Sequence, residues 1–137
     1  MHIEPEIGRQ FTHSFKFSQE DVAAFARVTG DTNPLHLDAD YAATTAFKRP
    51  IIHGMLGASV FTKVLGTEYP GYGSIYVSQT LNFLRPMFVD TDYEAVFTIT
   101  NLNPEKNMAE ISTEILDAQT RKATTRGVAT MINKEKF

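Results

Sequence analysis

Two titratable side chains separated by five residues, Asp31 and His36, are the strongest candidates for chemistry in this chain. They lie in a segment with the sequence GDTNPLHLD, residues 30–38. Pro34 fixes its own φ and disfavours a helical Asn33, so the segment is predicted to be a stiff, extended loop. A bent loop of this kind can bring both side chains to one water molecule. Because a neutral imidazole accepts a proton near neutral pH and a carboxylate can orient the same water, the pair predicts water activation.

A second feature, His53-Gly54, stands near the start of an apolar stretch, residues 51–66. The first N–H groups of a helix have no partner within the helix, and the helix dipole is positive there. Gly54 has no side chain to block access, so its N–H could bind a carbonyl oxygen that gains negative charge. A water-activating pair and such a donor together suit the addition of water to a double bond conjugated with a thioester.

The elements that must position these groups can be predicted from spacing. Alternation over residues 11–17 favours a strand, and Ser18 with Asp21 forms a capping box that starts a helix. Gly30 is expected to end that helix, and Asp38 is expected to cap a second one. Residues 51–66 are apolar on all sides, which predicts a buried helix that ends at Gly66.

From Ser74 onward the apolar period changes to two, which predicts consecutive strands. Turn residues at 103–107 and 117–120 separate the last three of them. Consecutive hairpins favour an α+β fold in which a mostly antiparallel sheet wraps around the buried helix. The residues that share a strand face are Ile75, Val77, Leu81 and Phe83; Tyr93, Ala95, Phe97 and Ile99; Ala109, Ile111, Thr113 and Ile115; and Ala123, Thr125, Gly127, Ala129 and Met131.

Composition limits the remaining possibilities. A length of 137 residues is that of one domain, so residues 1–137 are interpreted as a single unit. The formal net charge of −3 disfavours nucleic acid as a partner. The absence of cysteine excludes disulfides and thiolate nucleophiles. With no signal-peptide pattern at the N-terminus and no apolar run long enough for a bilayer, a cytoplasmic protein without membrane contact is expected. The residue spacing also offers no metal site, so no metal is expected.

The motifs resemble those of a known family. Residues 30–36, GDTNPLH, and residues 47–55, FKRPIIHGM, are similar to the two-part motif of MaoC-like (R)-specific enoyl-CoA hydratases, which have the hot dog fold. The similarity continues through the turn at 70–73, the strand start at 74–76 and Phe83-x-x-Pro86, and so covers nearly the whole chain. The resemblance implies a long central helix wrapped by an antiparallel sheet, which agrees with the pattern of periodicity.

The resemblance also implies an activity and roles for residues. It implies a hydro-lyase that converts trans-2-enoyl-CoA to (R)-3-hydroxyacyl-CoA without a cofactor, acting as a homodimer in fatty acid metabolism, often to supply polyhydroxyalkanoate precursors. It assigns the catalytic pair to Asp31 and His36, the oxyanion donor to Gly54 and a supporting role to Asn33. His53 is expected to be a structural support at the helix start. The basic residues that could meet the phosphates of coenzyme A are Lys48, Arg49 and Arg85.

Two other functions fit the same fold. A thioesterase would aim water at the carbonyl carbon instead of the β-carbon. A non-catalytic acyl-CoA-binding module would need neither Asp31 nor His36, so their presence argues against it. The sequence leaves open the acyl-chain length, the choice between coenzyme A and acyl carrier protein, the physiological direction, and which member of the pair is base and which is acid.

Overall fold

The computed structural model describes residues 3–137, and its first helix, α1 (Gln19–Thr29), begins and ends as predicted. The Ser18 hydroxyl accepts a hydrogen bond from the Asp21 N–H, and the Asp21 carboxylate accepts one from the Ser18 N–H. Gly30 follows the helix with φ 81°, the left-handed conformation that glycine adopts without a steric cost. The capping box and the glycine stop are therefore confirmed.

Two short helices, α2 (Pro34–Leu37) and α3 (Ala39–Ala43), lie between α1 and the central helix. The prediction of an extended loop is wrong for residues 34–37, because Pro34 occupies the first position of a helical turn and its fixed φ suits that position. The Asn33 side chain caps this turn by accepting from the Leu35 N–H. Asp38 caps α3 as predicted, accepting from the Asp40 and Tyr41 N–H groups.

The central helix is α4 (Gly54–Thr67). It starts three residues later than predicted and passes Gly66 by one residue, while residues 51–53 form its extended lead-in. The prediction of burial on every side is wrong at Met55, whose exposed fraction is 58%, and at Thr62 and Lys63, which are also exposed. The rest of the prediction holds for the residues that face the sheet, which are Leu56, Val60, Phe61, Val64 and Leu65.

One antiparallel sheet wraps around α4, and this confirms the predicted α+β class. Its strands are β1 (Gln10–Phe15), β2 (Ile75–Gln79), β3 (Asn82–Phe83), β4 (Tyr93–Asn103), β5 (Met108–Asp117) and β6 (Ala123–Ile132). Their order is β1-β4-β5-β6-β2, and β3 also pairs with β6. β1 ends at Phe15, two residues before the predicted end at residue 17. The faces predicted for β4, β5 and β6 are buried.

The prediction for β2 and β3 differs from the structure. The pairing of β2 with β6 shifts between Tyr76 and Ser78, so the alternation of side chains is interrupted. Ile75, Val77 and Phe83 are 59%, 49% and 53% exposed, so these apolar side chains lie outside the core of the single chain. Tyr76 is partly buried instead, and burial raises its pKa to about 12. Among residues 3–137, no helix has the length and apolar character needed to cross a membrane.

Candidate active site

Asp31 is positioned by the end of α1. The Gly30 turn directs the chain away from the helix, and the Asp31 N–H donates to the Thr29 hydroxyl over 3.2 Å. One carboxylate oxygen accepts from the Asn33 N–H over 3.3 Å, which fixes the start of the segment. The Asp31 side chain is 52% exposed and is therefore accessible to water. Asn33 thus shapes this segment through both its N–H and its cap on α2.

His36 is held inside the protein by the lead-in to α4. It lies in α2 and is 8% exposed, and its Nδ1 is 2.8 Å from the Ile51 carbonyl oxygen. Because a carbonyl oxygen only accepts, Nδ1 carries the proton, and Nε2 keeps a lone pair. The same lead-in is fixed further by Ile52, whose N–H donates to the Met87 carbonyl oxygen over 2.8 Å. The ring is therefore held in the Nδ1–H tautomer, and its Nε2 can accept a proton.

His53 lies next to both members of the predicted pair. Its Nε2 is 3.0 Å from the Asp31 carbonyl oxygen and 4.0 Å from an Asp31 carboxylate oxygen. Its ring stacks on the His36 ring, with centroids 3.8 Å apart and an interplanar angle of 27°. Nitrogen and oxygen atoms of Asp31, His36 and His53 lie within 4.8 Å of one another. The structure thus brings together the two residues predicted to share a water and adds a third.

Gly54 begins α4 directly after His53. As the first residue of the helix, it has an N–H with no partner within the helix, at the positive end of the dipole. A Cβ at this position would lie 2.8 Å from Cδ1 and Cε1 of Phe83, so the aromatic ring packs directly against the Gly54 Cα. No pattern in the sequence indicated this contact of Phe83, although Phe83 belongs to the motif that carries the resemblance.

A cavity of about 410 Å³ adjoins the site at Ile51 and Gly54. It is mostly apolar, which suits a chain of methylene groups. The lining does not include Asp31, His36 or His53, so the cavity adjoins this cluster only through neighbouring residues of the chain. It is lined by Phe47, Ile51, Ile52, Gly54, Met55, Phe83, Leu84, Arg85, Pro86, Met87 and Thr125.

The three basic residues considered for coenzyme A occupy different surroundings. Arg85 lines the cavity and donates to the Ala123 carbonyl oxygen over 2.7 Å. The Arg49 guanidinium lies over the Phe88 ring, 3.7 Å from its centroid. Lys48 is exposed and has φ 68°. Only Arg85 of the three contributes to the cavity beside Gly54.

The cluster of Asp31, His36 and His53 could also be considered as a metal site, since its atoms lie within 4.8 Å of one another. Each histidine, however, directs one nitrogen at a backbone carbonyl oxygen. The other nitrogen of His53, Nδ1, is buried, so it is not exposed to an ion from solvent. The cluster is therefore a poorer site for a metal ion than for acid–base chemistry.

Fold and site together define a class of protein: a hot dog fold with an aspartate and two histidines clustered beside the N-terminus of its central helix. The sequence model described as the MaoC like domain matches residues 2–123. An (R)-specific enoyl-CoA hydratase of Aeromonas caviae is 48% identical over 110 residues, which cover 80% of this chain and 82% of the relative. A 3-hydroxybutyryl-CoA dehydratase of Methylorubrum extorquens is 39% identical over 78% of this chain and 68% of the relative.

Solved structures give the same result. An (R)-hydratase of Aeromonas caviae involved in polyhydroxyalkanoate biosynthesis superimposes with a TM-score of 0.89 at 44% identity, covering 93% of this chain and 96% of that chain. An unliganded (R)-hydratase of Pseudomonas aeruginosa has a TM-score of 0.87 at 37% identity, covering 93% and 81%. The chain belongs to the MaoC-like family, and it is an enzyme of the hydro-lyase class.

Proposed function

We propose that the protein hydrates trans-2-enoyl-CoA to (R)-3-hydroxyacyl-CoA and also catalyses the reverse dehydration. The observation that carries the proposal is the convergence of Asp31 and His36, with their polar atoms within 4.8 Å, beside the first residue of α4. The relatives named as (R)-specific hydratase and 3-hydroxybutyryl-CoA dehydratase support both directions.

The proposed reaction uses one water held between the Asp31 carboxylate and Nε2 of His36. The pair takes a proton from this water as its oxygen bonds to the β-carbon, and the electrons of the double bond move toward the thioester oxygen. The Gly54 N–H stabilises the negative charge on that oxygen, an interaction typically worth about 3–4 kcal/mol of the barrier. The pair then returns a proton to the α-carbon, so water is added across the double bond without a redox change or a cofactor.

The cavity beside Gly54 is the proposed site for part of the acyl thioester. Its apolar lining fits methylene groups, and Arg85 is the cationic residue in that lining. Lys48 and Arg49 precede Ile51 in the chain and stay candidates for the phosphates of coenzyme A. The cytoplasmic location stays a prediction from the sequence pattern, and the supply of polyhydroxyalkanoate precursors stays a prediction from the resemblance.

The activity can be tested with crotonyl-CoA, whose conjugated double bond absorbs in the ultraviolet. The expected result is loss of that absorbance and formation of (R)-3-hydroxybutyryl-CoA, with the product's chirality determined by chromatography. His36→Ala should remove nearly all of the rate, because the lone pair at Nε2 is lost. His13→Ala, which removes a histidine of β1, is the control and should retain it. Release of free coenzyme A without a hydroxy product would indicate a thioesterase, and binding without turnover would indicate a binding module.

We further propose that the protein is a homodimer that covers the outer side of β2. This strand lies at the edge of the sheet, and its side chains Ile75 and Val77 are 59% and 49% exposed. Val77→Glu should shift the protein toward monomers in sedimentation equilibrium, since a charge would replace buried apolar surface. Val28→Glu, on the 80% exposed position of α1, is the matched control and should leave the mass unchanged. A wild-type protein that sediments as a monomer would contradict this proposal.

A further inference from the structure

The His53 side chain is more completely buried than either member of the predicted pair. It is 2% exposed and packs against the rings of His36 and Phe25, with centroid distances of 3.8 and 4.9 Å. It stands at the N-cap position of α4, yet its side chain makes no capping hydrogen bond. The usual reason for a polar residue at a helix start therefore does not explain it.

The contacts of His53 define where its proton lies. Nε2 faces the Asp31 carbonyl oxygen at 3.0 Å and an Asp31 carboxylate oxygen at 4.0 Å. Both are acceptors, so Nε2 carries the proton and donates. Nδ1 is buried and has no hydrogen-bond partner among the described residues. A proton there would be a buried donor without an acceptor, so the neutral Nε2–H form is favoured.

The stacked rings then carry opposite tautomers. His36 donates from Nδ1 to Ile51, whereas His53 donates from Nε2 to Asp31. When His36 gains a proton during the reaction, its charge lies against the face of a neutral aromatic ring, which is a favourable cation–π contact. A charged His53 at the same centroid distance of 3.8 Å would repel it instead.

His53 also joins the two halves of the site covalently and by hydrogen bonding. It precedes Gly54 in the chain, and its Nε2–H is bonded to the backbone of Asp31. Asp31 is thus linked to the Gly54 N–H through one residue.

We propose that His53 is a positioning residue: its Nε2–H fixes Asp31 relative to Gly54, and its neutral ring face supports His36. This inference rests on the proposed hydratase function. Displacement of a reacting group by about 1 Å can cost about 10²-fold in rate, which sets the scale of the effect expected when either contact is removed.

Two substitutions separate the two contacts. His53→Gln keeps an N–H donor near the position of Nε2 but removes the ring, and His53→Phe keeps a ring face but removes the donor. Each is expected to lower kcat for crotonyl-CoA by roughly 10- to 100-fold, with KM and the Kd of butyryl-CoA within about threefold of the wild type. His53→Ala loses both contacts, so its kcat should be lower than that of either other variant. The Gln and Phe side chains would then each rescue part of the rate.

The outcomes distinguish this inference from the proposed function. If the wild type hydrates crotonyl-CoA and all three variants keep its kcat, the positioning role alone is overturned. The same conclusion follows if the variants lose kcat and butyryl-CoA affinity in parallel. A wild type that does not hydrate crotonyl-CoA would overturn both. Because a variant can fail to fold, long-range ¹⁵N–¹H spectra of the wild-type protein give an independent test. They should show His36 protonated at Nδ1 and His53 at Nε2, and a proton on His53 Nδ1 would overturn the proposal.

Discussion

The segment at residues 30–53 and the three long strands β4, β5 and β6 contribute to this protein in opposite ways. The segment contains helices of only 4 and 5 residues, held by side-chain caps at Asn33 and Asp38. The strands have 10 or 11 residues each and alternate buried and less buried side chains along most of their length. The proposed catalytic pair therefore lies on a segment that adds little to the core, while the long strands supply stability and none of the proposed catalytic residues. Substitutions in the segment should accordingly change the catalytic rate, and substitutions in the strands should change the stability.

The largest effect is expected from Asp31→Asn, which tests the segment. It should lower kcat/KM for crotonyl-CoA by about 10³-fold, since positioned general acid–base groups typically contribute 10²–10⁴-fold. The melting temperature should change little, because the Asp31 side chain is 52% exposed. Asp40→Asn is the matched control: it removes an exposed carboxylate of α3 and should keep the rate within about twofold. Near-normal turnover of Asp31→Asn would remove this residue from the proposed mechanism.

The reverse effect is expected from Phe97→Ala in β4. Phe97 is 0% exposed, stacks on Phe11 with centroids 4.9 Å apart, and meets Phe61 edge-to-face at 5.9 Å. Its truncation should lower the free energy of unfolding by about 3–5 kcal/mol, measured by urea denaturation. The kcat per folded molecule should be retained. A large fall in kcat with intact stability would show that the sheet and the site are coupled.

The boundary between the two regions can be tested at Gly57 of α4. A Cβ there would lie 2.8 Å from the Met87 sulfur and 3.7 Å from Ile115 Cδ1, so Gly57→Ala must displace a side chain that lines the cavity. Overpacking costs about 1–3 kcal/mol, offset by up to about 1 kcal/mol of helix propensity. We expect a small net destabilisation and an altered preference in a series of enoyl-CoA chain lengths.

Gly66→Ala provides the control for this substitution, because nothing lies within 4 Å of its added Cβ. It should stabilise the protein by about 0.5–1 kcal/mol and leave the chain-length preference unchanged. Equal behaviour of the two variants would contradict the contact between Gly57 and Met87.

An effect of similar size, confined to stability, is expected from Ser18→Ala, which removes the capping box of α1. The loss of this cap should cost about 1 kcal/mol of stability, measured by thermal unfolding. Because α1 leads directly to Asp31, the variant also tests whether a loosened helix disturbs the site. Unchanged kcat is expected, since the Gly30 turn and the hydrogen bond between His53 and Asp31 are retained.

The sequence predicted the long elements well for a physical reason. Alternation at Tyr93, Ala95, Phe97 and Ile99 reflects one face that packs on α4, so period and burial have the same cause. Short elements depend on contacts instead. The turn at Pro34–Leu37 is too short to give a periodic signal, and the shift in β2 between Tyr76 and Ser78 is set by its pairing with β6.

The candidate site likewise combines features that a local pattern predicts with features that only distant contacts determine. Residue types and local spacing made Asp31, His36 and Gly54 candidates, and the resemblance to the family motif grouped them. They could not predict which nitrogen of His36 is protonated, because the Ile51 carbonyl that determines it lies 15 residues away. The stacking of His53 on His36 likewise depends on how α2 and the start of α4 pack, and no local pattern records it.

The proposed pair is unequally exposed, with 52% for the Asp31 side chain and 8% for the whole His36 residue, and this affects which substrates the proposed mechanism would turn over fastest. The Asp31 side chain faces solvent until a ligand covers it. The bound thioester must therefore itself exclude bulk water and lower the local dielectric. Parts of the substrate far from the double bond then contribute to turnover as well as to affinity. Thioesters of a short carrier such as N-acetylcysteamine should lose kcat and not merely raise KM, because they leave the carboxylate hydrated.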